Sequence, residues 1–416
     1  MIDETDDHDA TLARTLLTAG AVRERAHRML ALAEAGALAE LSVDLSKLPA
    51  ATDLVVAVTR AAYPDLVVPP HARWRHISAG GYDRWGALAG ARGFASGREA
   101  ARAAADLAIL SVLLDAGAGP RWRYEEGVTG VTYARSEGLA VASVAMFASG
   151  LFSAVPADPL RADAVALATM TPEEIAAGFQ VADDNPMVGL DGRAALLARL
   201  GIACADRPDV FALEDEPRPG GIIDALAAKA EDGRLPAAEI LATVLDALGA
   251  IWPSRIVLAG VPLGDTWRHP AMTTDDATSG LVPLHKLSQW LSYSLIEPLE
   301  WAGVEVVELD GLTGLAEYRN GGLFLDTGVI CLADPADADR VHAVGSSLVV
   351  AWRALTVALL DRLAAEARVR LGLTAAELPL AAVLEGGTWA AGRRAARERR
   401  PDGGPPLRIE SDGTVF

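Results

Sequence analysis

The chain has 416 residues, of which 51% are hydrophobic and 22% are charged, and its formal net charge is −19. This composition is typical of a globular protein with a sizeable core and excludes a disordered chain. The strong negative charge disfavours nucleic acid as a partner, because phosphate binding depends on clustered lysine and arginine side chains.

The chain is expected neither to cross a membrane nor to be secreted. No apolar run of about 18 residues lacks charge, and the acidic start MIDETDDHDA lacks the basic and apolar regions of a signal peptide. Cys204 and Cys331 fit no metal or redox spacing. Thiols this sparse indicate a reducing compartment, so we expect a cytoplasmic protein.

Helical patterns dominate the chain and predict a mainly α fold. Alanine-rich and leucine-rich stretches with apolar residues at helical spacing predict helices at residues 11–40, 53–62, 97–117, 136–150, 191–200 and from residue 236. Thr171-Pro172-Glu173-Glu174 marks a further helix start, because it combines a hydroxyl cap, a proline and a capping glutamate. We expect one helical domain over residues 1–416, with a few short strands near residues 304–309 and 407–416.

Two stretches bear on domain organisation. EDEPRPGG at residues 214–221 is the clearest linker-like segment, so two domains that divide there are the alternative to one. The tail at residues 401–416 contains prolines and then two strand-like runs around Asp412-Gly413, which predict a short hairpin.

RWRHISAGGYDRW at residues 73–85 concentrates tryptophan, arginine and histidine around two glycines. Indole rings stack on planar ligands, and arginine forms paired hydrogen bonds with carboxylates or phosphates. We therefore predict substrate contacts for Arg75, His76, Asp83 and Trp85. The alternative is a surface loop whose aromatic rings pack on the helices.

Residues 281–301 predict a helix with two stripes at the same helical period. Four leucines form one stripe, and the other consists of Lys286, Trp290, Tyr293 and Glu297. Surface helices rarely expose tryptophan and tyrosine, so we predict that the second stripe lines a pocket, with Lys286 and Trp290 among its contacts.

Residues 304–330, VEVVELDGLTGLAEYRNGGLFLDTGVI, place polar groups between apolar runs. Asp310 ends a predicted strand, and the charged and polar residues Glu317, Tyr318, Arg319 and Asn320 follow. Buried charges must satisfy one another or a ligand, because an unpaired buried charge is costly.

The glycine pair Gly321-Gly322 follows directly and predicts a sharp turn or a close approach to a ligand. An alternative for this segment is that Glu317 and Arg319 form an ion pair that only holds a loop together.

Residues 336–371 predict a long helix with a break near Gly345. In the next stretch, Glu385, Trp389 and Arg393 recur at every fourth position and share one face if the helix continues through Gly392. These three residues and Asp310 complete the predicted substrate-binding set. The sequence contains no motif of serine hydrolases, zinc peptidases, P-loop enzymes or dinucleotide enzymes, and we expect no metal and no organic cofactor.

Four segments resemble the uracil catabolism protein 4 family of fungi and bacteria: RWRHISAGGYDRW, DGLTGLAEYRNGGLFLDTGV, LEGGTWAAGR and GGPPLRIESDGTVF. The resemblance extends from about residue 10 to the end of the sequence. It implies a place in a pyrimidine-degradation route in which a ribosylated or phosphoribosylated urea is an expected intermediate.

A more distant likeness implies a mechanism. PLHKLSQWLSYSL followed by LDGLTGLAEYRNGGLFLDTGVI is similar to the queuosine salvage nucleotide glycosidases, which have a helical, DNA-glycosylase-like fold and cleave an N-ribosyl bond. Their lysine and their carboxylate-Tyr-Arg motif match Lys286 and Glu317-Tyr318-Arg319. Here the carboxylate is Glu instead of Asp, and Asn320-Gly321-Gly322 replaces a Val-Pro step, so a modified deazaguanine is not the expected substrate.

The leading hypothesis is therefore an N-ribosyl hydrolase that releases urea or a small ureide from a ribosyl or 5-phosphoribosyl conjugate. Glu317 would stabilise positive charge on the sugar or act on the attacking water, with Lys286 as the second catalytic residue. Lys286 and Arg319 would bind a phosphate or set the charge of the carboxylate, and Trp85 or Trp290 would cover the flat leaving group.

Two alternatives stay open, an amidohydrolase acting on a ring-opened acyl-urea and a non-catalytic ligand-binding or pathway partner protein. The expected partner is a small ribosyl or phosphoribosyl molecule, with no nucleic acid and no membrane. The sequence makes no prediction of an oligomeric state.

Overall fold

The structure of the protein, a computed structural model, describes residues 4–213, 216–252 and 256–410. These residues are mainly helical and carry only short strands, which confirms the predicted fold class. They form two compact units, and each unit combines separate parts of the chain. The first unit comprises Met1–His71, Ser254–Gln289 and Glu308–Phe416, and the second comprises Ala72–Pro253 and Trp290–Val307.

The expectation of one domain and its alternative, a division near residues 214–221, stay predictions. A domain is a part of a chain that folds independently, and a compact set of contacts does not test this property. Residues 214 and 215 lie outside the described residues, and Pro219–Gly221 forms a 3₁₀ turn.

The first unit is built around the helix Ser347–Leu371. Ser346 caps its start by accepting the Val349 amide, and Gly372 ends it in a left-handed conformation with φ 71°. Its side chains are buried continuously from residue 348 to 360, so it packs on several sides, including against Ala19–Glu34 and Leu48–Ala62. The α-helices of this unit are Glu4–Thr15, Ala19–Glu34, Leu48–Ala62, Tyr318–Asp326, Ser347–Leu371, Leu380–Val383 and Trp389–Arg399, with a π-helical turn at Leu384–Thr388 and 3₁₀ turns at Leu45–Lys47, Leu309–Gly311 and Pro335–Ala338.

The described strands of the first unit form two-stranded pairs. Leu41–Val43 pairs with Ile330–Leu332, Val257–Leu258 with Val261–Pro262, and Thr266–Arg268 with Leu281–Pro283, all antiparallel, whereas Val341–Ala343 pairs with Arg408–Glu410 in parallel.

Two strands shorten helices that the sequence predicts. Leu281–Pro283 is a strand, so the following helix begins at Lys286, and Val341–Ala343 replaces the first part of the helix predicted at residues 336–371. The predicted strand in the tail is present at Arg408–Glu410. The predicted turn at Asp412-Gly413 lies outside the described residues.

The second unit contains the predicted buried helices. Arg135–Ala148 and Gly97–Leu113 pack against each other, and Thr171 forms the predicted capping box at the start of Pro172–Gly178. Its short strands pair as Tyr124–Glu125 with Thr132–Tyr133, antiparallel, and as Arg234–Pro236 with Glu305–Val307, parallel. Its helices are Arg73–Ile77, Arg84–Arg92, Gly97–Leu113, Arg135–Ala148, Ala164–Ala168, Pro172–Gly178, Leu190–Asp206, Pro208–Phe211, Ile222–Lys229 and Ala237–Leu248, with 3₁₀ turns at Ala79–Gly81, Pro219–Gly221 and Gly249–Ile251, and Lys286–Trp301 ends in this unit.

No helix in the described parts of the chain is both long enough and apolar enough to cross a membrane.

Close helix packing explains the glycine pair of the 304–330 segment. Gly321 and Gly322 lie inside the helix Tyr318–Asp326, so the expected sharp turn is absent there. A Cβ atom on Gly321 would lie 2.7 Å from the indole nitrogen of Trp352, and that nitrogen donates a hydrogen bond to the Gly321 carbonyl. The glycine therefore allows the helix to approach Ser347–Leu371 closely.

Gly392 allows a second close approach, between the helix Trp389–Arg399 and the helix Tyr318–Asp326. A Cβ atom at residue 392 would lie 2.2 Å from the carbonyl oxygen of Arg319, which is backbone and cannot rotate away. The helices Trp389–Arg399 and Tyr318–Asp326 therefore pack with their backbones in contact at this point.

Replacing Gly392 with Ala should lower the free energy of unfolding by about 1–3 kcal/mol, because the added methyl group overpacks a backbone contact. The matched control is Gly90→Ala, at an exposed helical position where a Cβ atom meets nothing within 4 Å. There alanine should leave stability equal or raise it by up to about 1 kcal/mol. Thermal and denaturant unfolding of both variants would measure this, and equal stability of Gly392→Ala and wild type would contradict the packing.

Candidate functional site

Glu317 is a buried carboxylate that caps the helix Tyr318–Asp326. Its backbone is extended, its Oε2 accepts the Arg319 amide at 2.8 Å, and its Oε1 accepts the Asn320 amide at 2.5 Å. The residue is only 8% exposed. Both oxygens therefore have a defined position at the positive end of a helix, where a negative charge is favoured.

The surroundings of Glu317 act on its pKa in opposite directions. Burial raises the pKa. The amides of Arg319 and Asn320 and the charges of Lys286 and His71 lower it. Burial has the largest effect, so the pKa of Glu317 lies above its ordinary value. A carboxyl group of this kind exchanges a proton closer to neutral pH than an exposed glutamate does. Lys286 and His71 thus belong to the same charged centre as Glu317.

Lys286 is held by the groups that begin its helix. The Lys286 amide donates to Oδ2 of Asp265 at 3.0 Å. His285, directly before it, has a left-handed backbone with φ 46°, which is rare for a residue with a side chain, and its Nε2 lies 2.9 Å from the Leu16 carbonyl. These contacts determine where the first turn of the helix begins and therefore where the lysine side chain starts.

Arg353 connects the segment that carries Lys286 to the segment that carries Glu317. Its guanidinium forms two parallel hydrogen bonds of 2.8 Å with Asp265, and its Nε donates to the Ala316 carbonyl at 3.3 Å. The arginine is 1% exposed. Burial raises the pKa of Asp265, but Arg353, the Lys286 amide and the Trp267 indole together hold it below its ordinary value. Asp265 is therefore a charged anchor inside the unit.

His71 and Glu385 form a buried pair next to this centre. Nδ1 of His71 lies 2.6 Å from Oε2 of Glu385, and the Tyr63 hydroxyl donates to the other oxygen at 3.5 Å. The His71 amide donates to the Ala381 carbonyl at 2.9 Å, so its backbone is also held. Glu385 lies in the π-helical turn Leu384–Thr388, a type of turn that is frequent at functional sites.

The neighbours of Glu317 in sequence have separate contacts. The Arg319 guanidinium lies over the Tyr318 ring at 4.8 Å and donates to the Gly403 carbonyl at 2.8 Å. It turns away from the Glu317 carboxylate, which bonds the Arg319 amide, so the alternative of a Glu317–Arg319 ion pair is not formed. Among the described residues, Nε of Arg319 and Oδ1 of Asn320 are buried without a hydrogen-bond partner, which leaves one donor and one acceptor for a ligand.

Asp310, Trp389 and Arg393 also lie in the first unit. Asp310 accepts hydrogen bonds from Arg368 at 2.7 Å and from the Leu380 amide at 2.6 Å. The second bond holds the start of the helix Leu380–Val383. The Arg393 guanidinium lies over the Trp389 ring at 4.7 Å. The substrate contacts predicted for these three residues stay predictions.

The remaining predicted residues belong to the second unit. His76 and Trp290 meet edge to face at 5.7 Å, and Arg75 pairs with Glu297. Asp83 caps the helix Arg84–Arg92 through the Gly86 amide, and Trp85 stacks on Trp301 at 6.2 Å. The contacts of Asp83 and Trp85 match the alternative of a segment that packs on helices. Their predicted roles toward a substrate stay untested.

Sequence reasoning missed His71, Asp265 and Arg353. Their partners are distant along the chain, and no local pattern marks them. The available signals were a histidine directly after Pro69-Pro70 and an arginine inside the largely apolar run at residues 348–360. Within the described parts of the chain, no group of three or more His, Cys, Asp and Glu side chains is placed to hold a metal ion.

Together, these features define a mainly α protein whose first unit contains a buried carboxylate, an ammonium and a histidine–glutamate pair. The chain belongs to the family described as "Protein of unknown function (DUF1688)", which matches residues 15–416. It is 39% identical over 409 residues to Protein urg3 of Schizosaccharomyces pombe, covering 96% of this chain and 98% of that protein.

The chain is also 37% identical over 409 residues to Uracil catabolism protein 4 of Lachancea kluyveri, covering 90% of this chain and 91% of that protein. The family resemblance predicted from the sequence is confirmed. The name of the second relative links that protein to uracil catabolism.

Replacing Arg353 with Met should lower the free energy of unfolding by about 1–3 kcal/mol, because it removes both guanidinium bonds of Asp265, whose side chain is only 15% exposed. The control is Arg340→Met, which removes ion pairs with Asp334 and Asp337 on an arginine that is 56% exposed and should cost about 0–1 kcal/mol. Chemical denaturation of both variants provides the measurement. Similar losses in the two variants would contradict an anchoring role for Arg353.

The raised pKa of Glu317 predicts a pH dependence of stability. The folded state favours the protonated carboxyl, so its contribution is fully present below about pH 4.5, the ordinary value, and is lost as the pH rises through the raised folded-state pKa. Relative to Glu317→Gln, the wild type should lose stability across this window. Denaturation at a series of pH values would measure the difference.

Glu377→Gln is a control of opposite sign. Hydrogen bonds from Thr374 lower the pKa of Glu377, so its contribution is present above about pH 4.5 and is lost as the pH falls through the lowered pKa. A wild-type stability that rises relative to Glu317→Gln with rising pH would contradict the burial argument.

Proposed function

We propose that the protein is an N-ribosyl hydrolase of uracil catabolism that releases urea or a small ureide from a ribosyl or 5-phosphoribosyl conjugate. The similarity over nearly the whole length to Uracil catabolism protein 4 supports the pathway. The likeness of Lys286 and Glu317-Tyr318-Arg319 to residues of the queuosine salvage glycosidases supports cleavage of an N-ribosyl bond. The contacts and the raised pKa of Glu317 support it further.

The observation that carries the proposal is the buried Glu317 carboxylate, whose oxygens two backbone amides hold and whose pKa the charge of Lys286 lowers. Cleavage of an N-ribosyl bond builds positive charge on the sugar, and a fixed carboxylate near the anomeric carbon stabilises it. Two backbone amides hold the Glu317 oxygens, so the group needs no reorganisation during the reaction. Exposed carboxylates on flexible side chains lack this property.

Glu317 also suits a base that acts on water. Burial raises its pKa above the ordinary value, which makes it a better proton acceptor than an exposed glutamate. Lys286 limits this rise, because its charge favours the ionised carboxylate. In the proposed step, a water oxygen bonds to the anomeric carbon and its proton passes to Glu317. The carbon–nitrogen bond breaks, its electron pair stays on nitrogen, and the leaving nitrogen gains a proton.

Two groups with unused hydrogen-bonding capacity lie directly after Glu317 in sequence. Nε of Arg319 is a buried donor and Oδ1 of Asn320 is a buried acceptor, and neither has a partner among the described residues. We assign them to the substrate, where they would bond sugar hydroxyl groups or a 5-phosphate. Tyr318, over which the Arg319 guanidinium stacks, would hold that arginine in place.

A second candidate is hydrolysis of a ring-opened acyl-urea. The His71–Glu385 pair favours it, because a histidine oriented by a carboxylate is a common base for water attack on a carbonyl carbon. This reaction would release an acid and leave sugars untouched.

The test is incubation of the purified protein with ribosylurea, its 5-phosphate, ureidoacrylate and uridine monophosphate. Free sugar supports the first proposal, a newly released acid supports the second, and binding without turnover supports a non-catalytic partner protein. Product analysis by chromatography and mass spectrometry separates the three outcomes.

Glu317→Gln should lower kcat on the hydrolysed conjugate by about 10²–10⁴-fold while ligand still binds, because the amide neither accepts a proton nor carries charge. The matched control is Glu305→Gln, at a carboxylate whose side chain is 66% exposed, which should retain wild-type turnover. Steady-state kinetics and calorimetric binding would measure both. Full activity in Glu317→Gln would remove this residue from the mechanism.

A further inference from the structure

The His71–Glu385 pair has features that a structural contact does not require. His71 is 7% exposed, and its ring and its backbone amide are both held, by Glu385 and by the Ala381 carbonyl. The π-helical turn Leu384–Thr388, which carries Glu385, contacts the helix Tyr318–Asp326 that Glu317 caps, and the charge of His71 lowers the pKa of Glu317. A buried histidine in the same centre as a buried carboxylate indicates two groups that exchange protons.

The contact with Glu385 determines which ring nitrogen of His71 carries the fixed proton. An ionised carboxylate only accepts hydrogen bonds, so Nδ1, which lies 2.6 Å from Oε2, must be the donor. Nε2 is then the nitrogen that gains and loses a proton during a reaction. Glu385 therefore orients the ring.

The π-helical turn places Glu385 for this contact. Leu384–Thr388 interrupts the helices Leu380–Val383 and Trp389–Arg399, and the wider turn changes the direction of the side chains relative to a continuous α-helix. Glu385, inside the turn, reaches both His71 and Tyr63. The helix geometry is thus irregular at the residue that holds the histidine.

The proposed reaction needs a proton donor that Glu317 cannot supply. When water attacks, Glu317 takes up a proton, so it is not available to protonate the leaving nitrogen at the same moment. A urea nitrogen leaves poorly as an anion and must gain a proton as the bond to the sugar breaks. His71 is suited to this role, because Glu385, which also accepts a hydrogen bond from Tyr63, orients its ring, and because its charge acts on Glu317.

We propose that His71 is the general acid that protonates the leaving nitrogen and that Glu385 is its positioning residue; this inference rests on the proposed N-ribosyl hydrolase function. The electron pair of the broken carbon–nitrogen bond passes to nitrogen, which takes the proton from Nε2 of His71. The water oxygen forms the new bond to the anomeric carbon and gives its proton to Glu317. After product release, Glu317 loses a proton to solvent and His71 gains one, so the cycle balances.

The experiment compares two substrates with the same sugar and different leaving groups. Ribosylurea needs a proton on its leaving nitrogen, whereas 4-nitrophenyl riboside releases a stable phenolate without one. His71→Gln should lower kcat on ribosylurea by about 10²–10⁴-fold and change kcat on 4-nitrophenyl riboside by less than about tenfold. If the wild type requires the 5-phosphate, both substrates carry it.

Two further variants complete the comparison. Glu385→Gln should lower kcat on ribosylurea selectively but by less than His71→Gln, since the acid remains and only its orientation is weakened. The matched control is His342→Gln, at a histidine whose Nε2 lies 2.7 Å from the Asp337 carbonyl, and it should leave both rates unchanged. If His71→Gln does not fold, the selectivity of Glu385→Gln decides the question.

The outcomes separate this inference from the function on which it rests. If the wild type hydrolyses neither substrate, the N-ribosyl hydrolase proposal fails and the role of His71 fails with it. If the wild type hydrolyses both and His71→Gln loses both equally or neither, the function stands and the proton-donor role is refuted. If the wild type hydrolyses only ribosylurea, the pH–kcat profiles of the wild type and His71→Gln are compared. Loss of the alkaline limb in His71→Gln supports His71 as the proton donor, and persistence of that limb refutes it.

Discussion

The buried pair of Arg353 and Asp265 is the interaction on which the candidate site depends. Burial makes an unpaired charge too costly to keep, so the two residues must stay together whenever the first unit is folded. Asp265 in turn accepts the Lys286 amide, and Arg353 donates to the carbonyl of Ala316, the residue before Glu317. The backbone segments that carry Lys286 and Glu317 are therefore both bonded to one shared ion pair.

Glu317 caps a helix and is also the proposed catalytic carboxylate, two functions that proteins often assign to separate residues. Other helices of the chain are capped by ordinary short side chains, such as Ser346 and Thr171. At Glu317 the cap is a longer carboxylate in a buried position, where a charge is disfavoured and the pKa is raised. A serine or an aspartate would cap the helix with less loss of conformational freedom. Glutamate is suited to this position if the carboxylate must also contact a ligand. The loss of stability from its burial would then accompany the raised pKa that the proposed reaction uses.

The sequence predicts local features of this protein better than distant ones. The mainly α class, the capping box at Thr171 and the buried helix near residues 136–150 follow from patterns within a few residues, and they are found in the structure. Glu317 and Lys286 stand out because polar residues interrupt apolar runs. His71, Asp265 and Arg353 do not stand out, since their partners are separated from them by many tens of residues. The glycine pair at 321 was misinterpreted for the same reason: its constraint is the indole ring of Trp352, which the local sequence does not reveal.

The order of segments in the first unit affects how the protein is made on the ribosome. The helix that begins after Glu317 is held by residues far downstream, because Arg319 donates to Gly403 and Asp326 pairs with Arg400. The strand Arg408–Glu410 joins the same unit, which also includes residues before Ala72. Emerging chains generally fold as each compact part becomes complete. A nascent chain that ends before residue 400 therefore lacks partners that hold the helix after Glu317, so the candidate site is incomplete until those residues have been synthesised.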